Sequence, residues 1–259
     1  MKLHVIGSAD AFNSSGRGHS CYVLESPGAA RLMVDFGPTA LAGLRHAGLP
    51  PEGIDGIAFT HLHGDHIGGF PFLLIDALYN APRRRELPIL GPLRTRECLE
   101  ALIDASYDDM KQRMPQLPVS IVEFAPGETR EFLGYQISAY AADHMHPPHQ
   151  PLCLRVSDAQ GKSVAFSGDT KMCPGLFEAA DGVELLVAEC TRLAHPAGQH
   201  CTWEEWQVEL RDMQRLRARA LMLTHLGSDV RARLPGLRDE QQVSIPLSFA
   251  EDGLVIEIE

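Results

Sequence analysis

Apolar residues in the first third of the chain fall in short runs broken by Gly, Pro and Asp, the pattern of strands rather than long helices. Leu3–Ile6, Cys21–Glu25, Leu32–Asp35 and Gly56–Phe59 read as strands, with a helix over Thr39–Ala47. A mostly helical stretch follows, Ile67–Tyr79 and Pro92–Tyr107, with a strand near Leu87–Leu90 between the two. After Pro118 the β pattern returns in Val119–Phe124, Arg130–Phe132, Gln136–Ala142, Leu152–Ser157 and Ser163–Phe166, separated by turn-forming residues as antiparallel neighbours would be. Strands Leu185–Ala188 and Leu221–Thr224 enclose a helix with a clear start, because Thr202 and Glu205 form a capping box. Trp203, Trp206, Leu210, Met213 and Leu216 then supply its apolar stripe. Strands followed by helices in both halves predict an α/β sandwich with helices covering both outer faces, in one continuous domain over residues 1–259.

Composition narrows the classes. Of 259 residues, 44% are hydrophobic and 22% charged, enough for a core that needs no disulfide staples. Lys+Arg of 23 against Asp+Glu of 34 gives 23 − 34 = −11, so the general surface repels phosphate backbones and anionic membranes and makes a nucleic-acid partner unfavourable. The six Cys are scattered with no Cys-x-x-Cys pair, which fits a reducing cytoplasm. The start, Met1 to Gly7, reads as a strand entering a glycine turn rather than an export signal. The most apolar run, Phe70 to Leu78, is broken by Pro71 and Asp76 and is too short to cross a bilayer.

The 12 His matter more, because imidazole is the commonest metal ligand. Thr60 to Gly69 places His61, His63, Asp65 and His66 within six residues just after a strand. His61 and His63, two apart in an extended turn, can face one cation, while Asp65 and His66 sit where a helix would start and can face a second. Two such cations would hold a bridging hydroxide, a nucleophile usable at neutral pH.

His-x-His-x-Asp-His after a strand resembles the signature of the metallo-β-lactamase superfamily. The resemblance implies a four-layer αβ/βα sandwich of two mixed sheets, and further ligands down the chain. It looks for a His after a strand, an Asp in a Gly-Asp-Thr turn and a His after a late strand; His144, Asp169 and His225 answer in turn. On this reading one metal takes His61, His63 and His144, the other takes Asp65, His66 and His225, and Asp169 bridges them. His146 and His149 compete with His144, which is preferred because it ends a strand. Asp35 matches an Asp that the family places near its third strand, behind the ligands.

Finer details resemble the ribonuclease Z branch. Leu185 to Thr191 is similar to its Leu-Leu-x-x-Glu-Ala-Thr strand end, and Gln199 to Thr202 to its Gly-His-Ser-Thr turn. In that branch the Glu and His of these segments pair, and the His protonates the leaving oxygen; the corresponding residues here are Glu189 and His200. Glu189 would raise the His200 pKa and the helix after Thr202 would lower it, leaving a value near working pH. That both residues merely cap loops stays open, since a sequence carries no distance between them. The transfer-RNA-processing members carry a long Gly- and Pro-rich arm, whereas Arg155 to Ser163 reads as a tight hairpin with no arm.

The resulting expectation is a dinuclear metal-dependent hydrolase, first of all a phosphodiesterase on small or cyclic phosphodiesters, with Asp65, Glu189 and His200 as catalytic residues. The alternative is a carboxyl hydrolase opening a lactone, thioester or β-lactam with the same metals, and a ribonuclease acting on RNA 3′ ends ranks below both. A metal-binding sensor or redox relative also ranks low, because the redox diiron members carry Glu where this chain has His63. The nitrogen-rich ligand set favours zinc, with manganese and iron compatible. The resemblance also implies a homodimer, for which Phe70 to Ile75 is a candidate surface, with buried core as the equal alternative for that run.

Overall fold

The computed structural model describes residues 1–107, 109–113, 116–239 and 245–259. Its strands form two sheets of seven, ordered β14-β1-β2-β3-β4-β5-β6 and β13-β12-β11-β10-β9-β8-β7. The first comprises β1 (Lys2–Gly7), β2 (Cys21–Glu25), β3 (Leu32–Val34), β4 (Gly56–Ala58), β5 (Leu87–Pro92), β6 (Val119–Phe124) and β14 (Val255–Glu257). The second comprises β7 (Thr129–Phe132), β8 (Tyr135–Ala141), β9 (Leu152–Ser157), β10 (Ser163–Phe166), β11 (Leu185–Glu189), β12 (Leu221–Thr224) and β13 (Leu247–Phe249). Both are mixed: β1 is antiparallel to β14 and β2, while β3 to β6 run parallel; β7 to β10 are antiparallel and β10 to β13 parallel.

Three apolar clusters give the four layers. Between the sheets lie Leu3, Val5, Leu24, Val34, Ile137, Leu154, Phe166 and Val187. Outside the first sheet, α1 (Ala40–His46), α3 (Phe70–Ile75) and α4 (Thr95–Ser106) bury Leu44, Phe70, Leu74, Leu99 and Ile103. Outside the second, α6 (Pro174–Ala180), α7 (Trp203–Asp212) and α8 (Ser228–Asp239) bury Leu176, Trp206, Leu210 and Val230. β11 is buried along its whole length, as a strand covered on both faces must be, whereas β8 buries only alternate residues. The sandwich is the one the strand pattern and the resemblance predict.

Two expectations shift. The helix predicted over Ile67–Tyr79 is interrupted: α2 (Gly64–Ile67) precedes α3, and a π-helical turn, Asp76–Asn80, follows it. Within α3, Phe70, Pro71, Leu73 and Leu74 are buried in the core, leaving Phe72 as its exposed large apolar residue. The proposed dimer surface is therefore mostly interior. The hairpin between β9 and β10 is tight, spanning Asp158 to Lys162, where the Asp158 carboxylate accepts from the backbone N–H of Gln160 and Lys162. Among the described residues no helix is long and apolar enough to cross a membrane.

The chain direction of the strands places the chemistry. β1, β3 and β4 run the same way in their sheet, as do β8, β10, β11 and β12 in theirs. Their C-terminal ends and the segments that follow carry Ser8–His19, Asp35, His61–His66, His144, Asp169, Glu189 and His225, and these residues meet at one edge of the sandwich.

Candidate metal centre

β4 ends at Ala58, and the chain turns through Thr60 to His63 before α2 begins. Gly37 permits this turn to pack on the segment after β3: a Cβ there would sit 2.0 Å from the Asp65 carbonyl oxygen. Gly168, at φ 56°, does the same for the turn after β10, since a Cβ would meet Thr60.

The imidazoles of His61, His63 and His144 bring ligand atoms within 4.8 Å of one another, and so do Asp65, His66, Asp169 and His225. Asp169 lies between the groups. Its Oδ2 is 3.7 Å from Nε2 of His61 and of His144 and 3.3 Å from His225 Nε2, and its Oδ1 is 3.3 Å from His66 Nε2. His144 is buried and belongs to the cluster; His146 is exposed and neither it nor His149 joins.

Neighbouring groups aim these rings. Asp35 Oδ2 accepts from His66 Nδ1 at 2.7 Å and from Thr60 Oγ1 at 2.8 Å, while Oδ1 accepts from the Thr60 N–H. With its hydroxyl proton given to Asp35, Thr60 Oγ1 is left to accept from His61 Nδ1, 3.1 Å away. Thr191 repeats the device: its hydroxyl donates to Glu189 Oε2 at 2.7 Å and accepts from His225 Nδ1 at 2.8 Å. His144 Nδ1 donates to the Gln199 carbonyl at 3.0 Å. Each of these four rings thus spends its Nδ1 proton on a fixed acceptor and presents an Nε2 lone pair to the cluster, the arrangement that outer partners impose on metal-binding imidazoles.

The donor set fits divalent cations on this chain's own terms. His61 Nε2, His66 Nε2 and Asp169 Oδ1 are buried with no hydrogen-bond partner, which is costly unless something binds them. Burial opposes charge on His66, yet Asp169, Asp35 and Asp65 together pull its pKa well above the ordinary value. His61, crowded by burial and by His66, is pushed well below it. The three carboxylates that favour charge on His66 would equally favour a divalent cation held by neutral rings.

Glu189, fully buried, ends β11 and is the hub of a second network. Its Oε1 lies 2.9 Å from His200 Nδ1 and accepts from the Thr170 N–H, and its Oε2 accepts from the Cys201 N–H. The pairing that the sequence left open is present. The His200 ring stacks on His225, with centroids 5.4 Å apart and planes 18° apart, and lies 4.8 Å from the His144 ring. Burial lowers its pKa, but the Glu189 hydrogen bond and charge outweigh this and raise it to about 9. The sequence expectation of a value near working pH gives too little weight to a buried carboxylate in direct contact. Thr202 does cap α7 in the predicted box with Glu205.

Thr60, Thr191 and the Gln199 carbonyl are the functional groups that sequence reading missed. All three lie inside recognised motifs, Thr60 before the His run, Thr191 after Glu189 and Gln199 before His200; for the two threonines that adjacency is the signal that could have found them, whereas a backbone carbonyl leaves none.

Comparison with known proteins agrees with this fold. The ribonuclease Z of Methanothermobacter thermautotrophicus is 25% identical over 307 residues, covering 100% of this chain and 97% of the relative. The metallo-β-lactamase fold protein YhfI from Bacillus subtilis superposes with a TM-score of 0.77 at 23% identity, covering 99% of each chain. A diphosphatase from the PhnP family gives 0.75 at 19% identity, covering 100% of this chain and 98% of the other. The sequence also matches the family described as anti-Pycsar protein Apyc1 over residues 1–240. With its His and Asp cluster at the edge of a metallo-β-lactamase sandwich, this chain is a metal-dependent hydrolase of the ribonuclease Z-like branch, and it belongs to the Apyc1 family.

Proposed function

We propose that this protein is a dinuclear phosphodiesterase acting on small or cyclic phosphodiesters, with His200 as proton donor. The observation that carries the reading is the Glu189–His200 pair set against the cation cluster. His61, His63 and His144 would hold one cation, Asp65, His66 and His225 the other, and Asp169 would be shared; zinc is the expected metal. Such cations supply Lewis acidity and a water-derived nucleophile at neutral pH. Asp65, whose Oδ2 is 3.5 Å from His66 Nε2 and 3.4 Å from His225 Nε2, adds a carboxylate that can orient the attacking water. Glu189 Oε1 holds the His200 Nδ1 proton, so Nε2–H is the proton available to a departing alkoxide. A pKa near 9 keeps that proton in place at neutral pH and releases it to an alkoxide, which is far more basic.

The test is turnover of a cyclic phosphodiester, a lactone and a thioester by wild type and His200→Ala, with metal content determined on both. Diester turnover that falls about 100-fold or more in His200→Ala while two cations per chain stay bound supports the reading. Lactone or thioester turnover indifferent to His200, without diester activity, moves the protein to the carboxyl hydrolases.

A second reading is favoured by the name of the Methanothermobacter relative: a ribonuclease acting on RNA 3′ ends. Against it stand the net charge of −11 and the tight β9–β10 hairpin where an RNA-gripping arm would emerge. Cleavage of a 3′-extended transfer RNA at a rate matching that of the cyclic diester would favour it. A cytoplasmic homodimer remains part of the proposal, with Phe72 and Tyr79 as its exposed apolar contacts.

A further inference from the structure

Phe12 is 85% exposed, whereas the other exposed large apolar residues among those described lie between 46% and 58%. An aromatic ring left in water contributes nothing to the core, and a free loop tip would be the ordinary place for one. The segment carrying Phe12 is the opposite of free. The buried Asp10 carboxylate accepts from the backbone N–H of Phe12 and of Ser14 through Oδ1, and from the Ser14 hydroxyl through Oδ2. Asn13 and Ser15 hold left-handed φ values of 52° and 58°, which persist only where surroundings fix them.

Both ends of the segment are anchored as well. Arg231 donates to the Ser8 carbonyl and hydroxyl, the Ser8 hydroxyl donates to Asp252 Oδ1, and Asp252 Oδ2 accepts from the Gly18 N–H at 2.7 Å. Arg17 pairs with Glu251 at 2.9 Å. This tied segment follows β1 at the edge where the His and Asp cluster lies, and its anchors reach that cluster. The Leu226 N–H donates to the Ser8 carbonyl, next to His225. Asn13 Nδ2 lies 3.4 Å from His19 Nδ1, and Gly37 is wedged between the His19 Cβ and the Asp65 carbonyl.

We propose that Phe12, carried on this tied loop, is a specificity-determining contact of the site that stacks against a flat aromatic substituent of the phosphodiester substrate. A ring carried on a backbone already fixed costs no loop ordering when it binds, only the freedom of its own side chain, and it contacts any planar group without demanding particular hydrogen bonds. The proposal rests on the phosphodiesterase reading for the identity of the substrate and on the loop's geometry for the identity of the residue.

The experiment compares two phosphodiesters that share a p-nitrophenolate leaving group and differ in the other ester, methyl or naphthylmethyl. In parallel, naphthylmethyl phosphate is titrated into metal-loaded protein by calorimetry. Wild type is expected to favour the naphthylmethyl diester in kcat/KM through a lower KM. Phe12→Ala should cut that preference by about 10-fold and weaken binding of the monoester by a similar factor, and Phe12→Trp should restore both. An unchanged preference in Phe12→Ala, or a shift in oligomeric state with no change in KM, overturns the proposal while diester turnover by wild type leaves the phosphodiesterase reading standing. Phe12-dependent binding of the monoester by a wild type that turns over no diester does the reverse.

Discussion

Asp35 shows how much of the site depends on a residue outside the cluster. It has φ 59°, an uncommon conformation for a residue other than glycine, and this places its two oxygens against Thr60 and His66. Replacing it with Ala leaves the His66 Nδ1–H and the Thr60 N–H unpartnered, frees the His66 ring to turn and releases the Thr60 hydroxyl that aims His61. Asp35→Ala should therefore lower metal affinity about 10- to 100-fold, read by competition with a chelator, with the fold retained. Affinity equal to wild type would mean that the cluster aims itself. The residues that carry this site divide by how local their signal is. His61, His63, Asp65 and His66 were legible because six consecutive positions bear the pattern. His144 was separable from His146 and His149 only by resemblance, and the structure separates them through burial and the Gln199 carbonyl, a backbone group 55 residues away that no side-chain pattern announces. Thr191 was visible as part of a motif, but its double hydrogen bond needs β11 and β12 side by side.

At the level of elements, strands with strong β composition were read nearly to the residue, β2, β6, β9, β10 and β12 among them. Those missed were short or locally contradictory. β13 and β14 span three residues each, and α8 carries Pro235 in its interior, where a proline argues against a helix from sequence. The β1–β2 pair carries a pH prediction. Burial pushes the Glu25 carboxyl up, but His4 at 3.1 Å and Arg31 outweigh it and hold the pKa below its ordinary 4.5. A carboxyl whose folded pKa is depressed binds fewer protons than it does unfolded, so its contribution is present above about pH 4.5 and lost as pH falls through the folded value. Glu25→Gln should cost a few tenths of a kcal/mol near neutrality, because the pair is solvent-screened, and should flatten the loss of stability in acid. Denaturant melts between pH 3 and pH 7 check this, on the order of one point per half unit; parallel curves for variant and wild type would contradict it.

The whole molecule works as two sheets pressed together with the chemistry at one edge. Phe166, almost fully buried between the sheets and 5.3 Å from the Tyr22 ring, ends β10 three residues before Asp169. Tyr22 in turn shares a 2.6 Å hydroxyl contact with Thr224, the residue before His225. Packing of the two sheets and placement of two cluster residues are thus one event. Phe166→Ala should cost about 3–5 kcal/mol in denaturant unfolding and weaken metal retention with it. Loss of stability with metal affinity untouched would show that core and cluster are independent. The sandwich itself was legible because its strand pattern and the His motif agree, and agreement between levels is what specifies a fold. The edge where the loops meet was not, because it depends on the direction of strands distant in sequence.

The proposed function stands on His200, held by Glu189, donating a proton to the leaving oxygen beside the His and Asp cluster. The most direct measurement is the leaving-group dependence of diester hydrolysis in wild type and His200→Ala, with metal content matched. A proton donor matters for an alkoxide and little for p-nitrophenolate, which departs unprotonated. Proton donation by His200 implies a loss of about 100-fold or more on the alkyl ester and a small one on the p-nitrophenyl ester. Equal losses on both esters, or a loss that tracks missing metal, would contradict it.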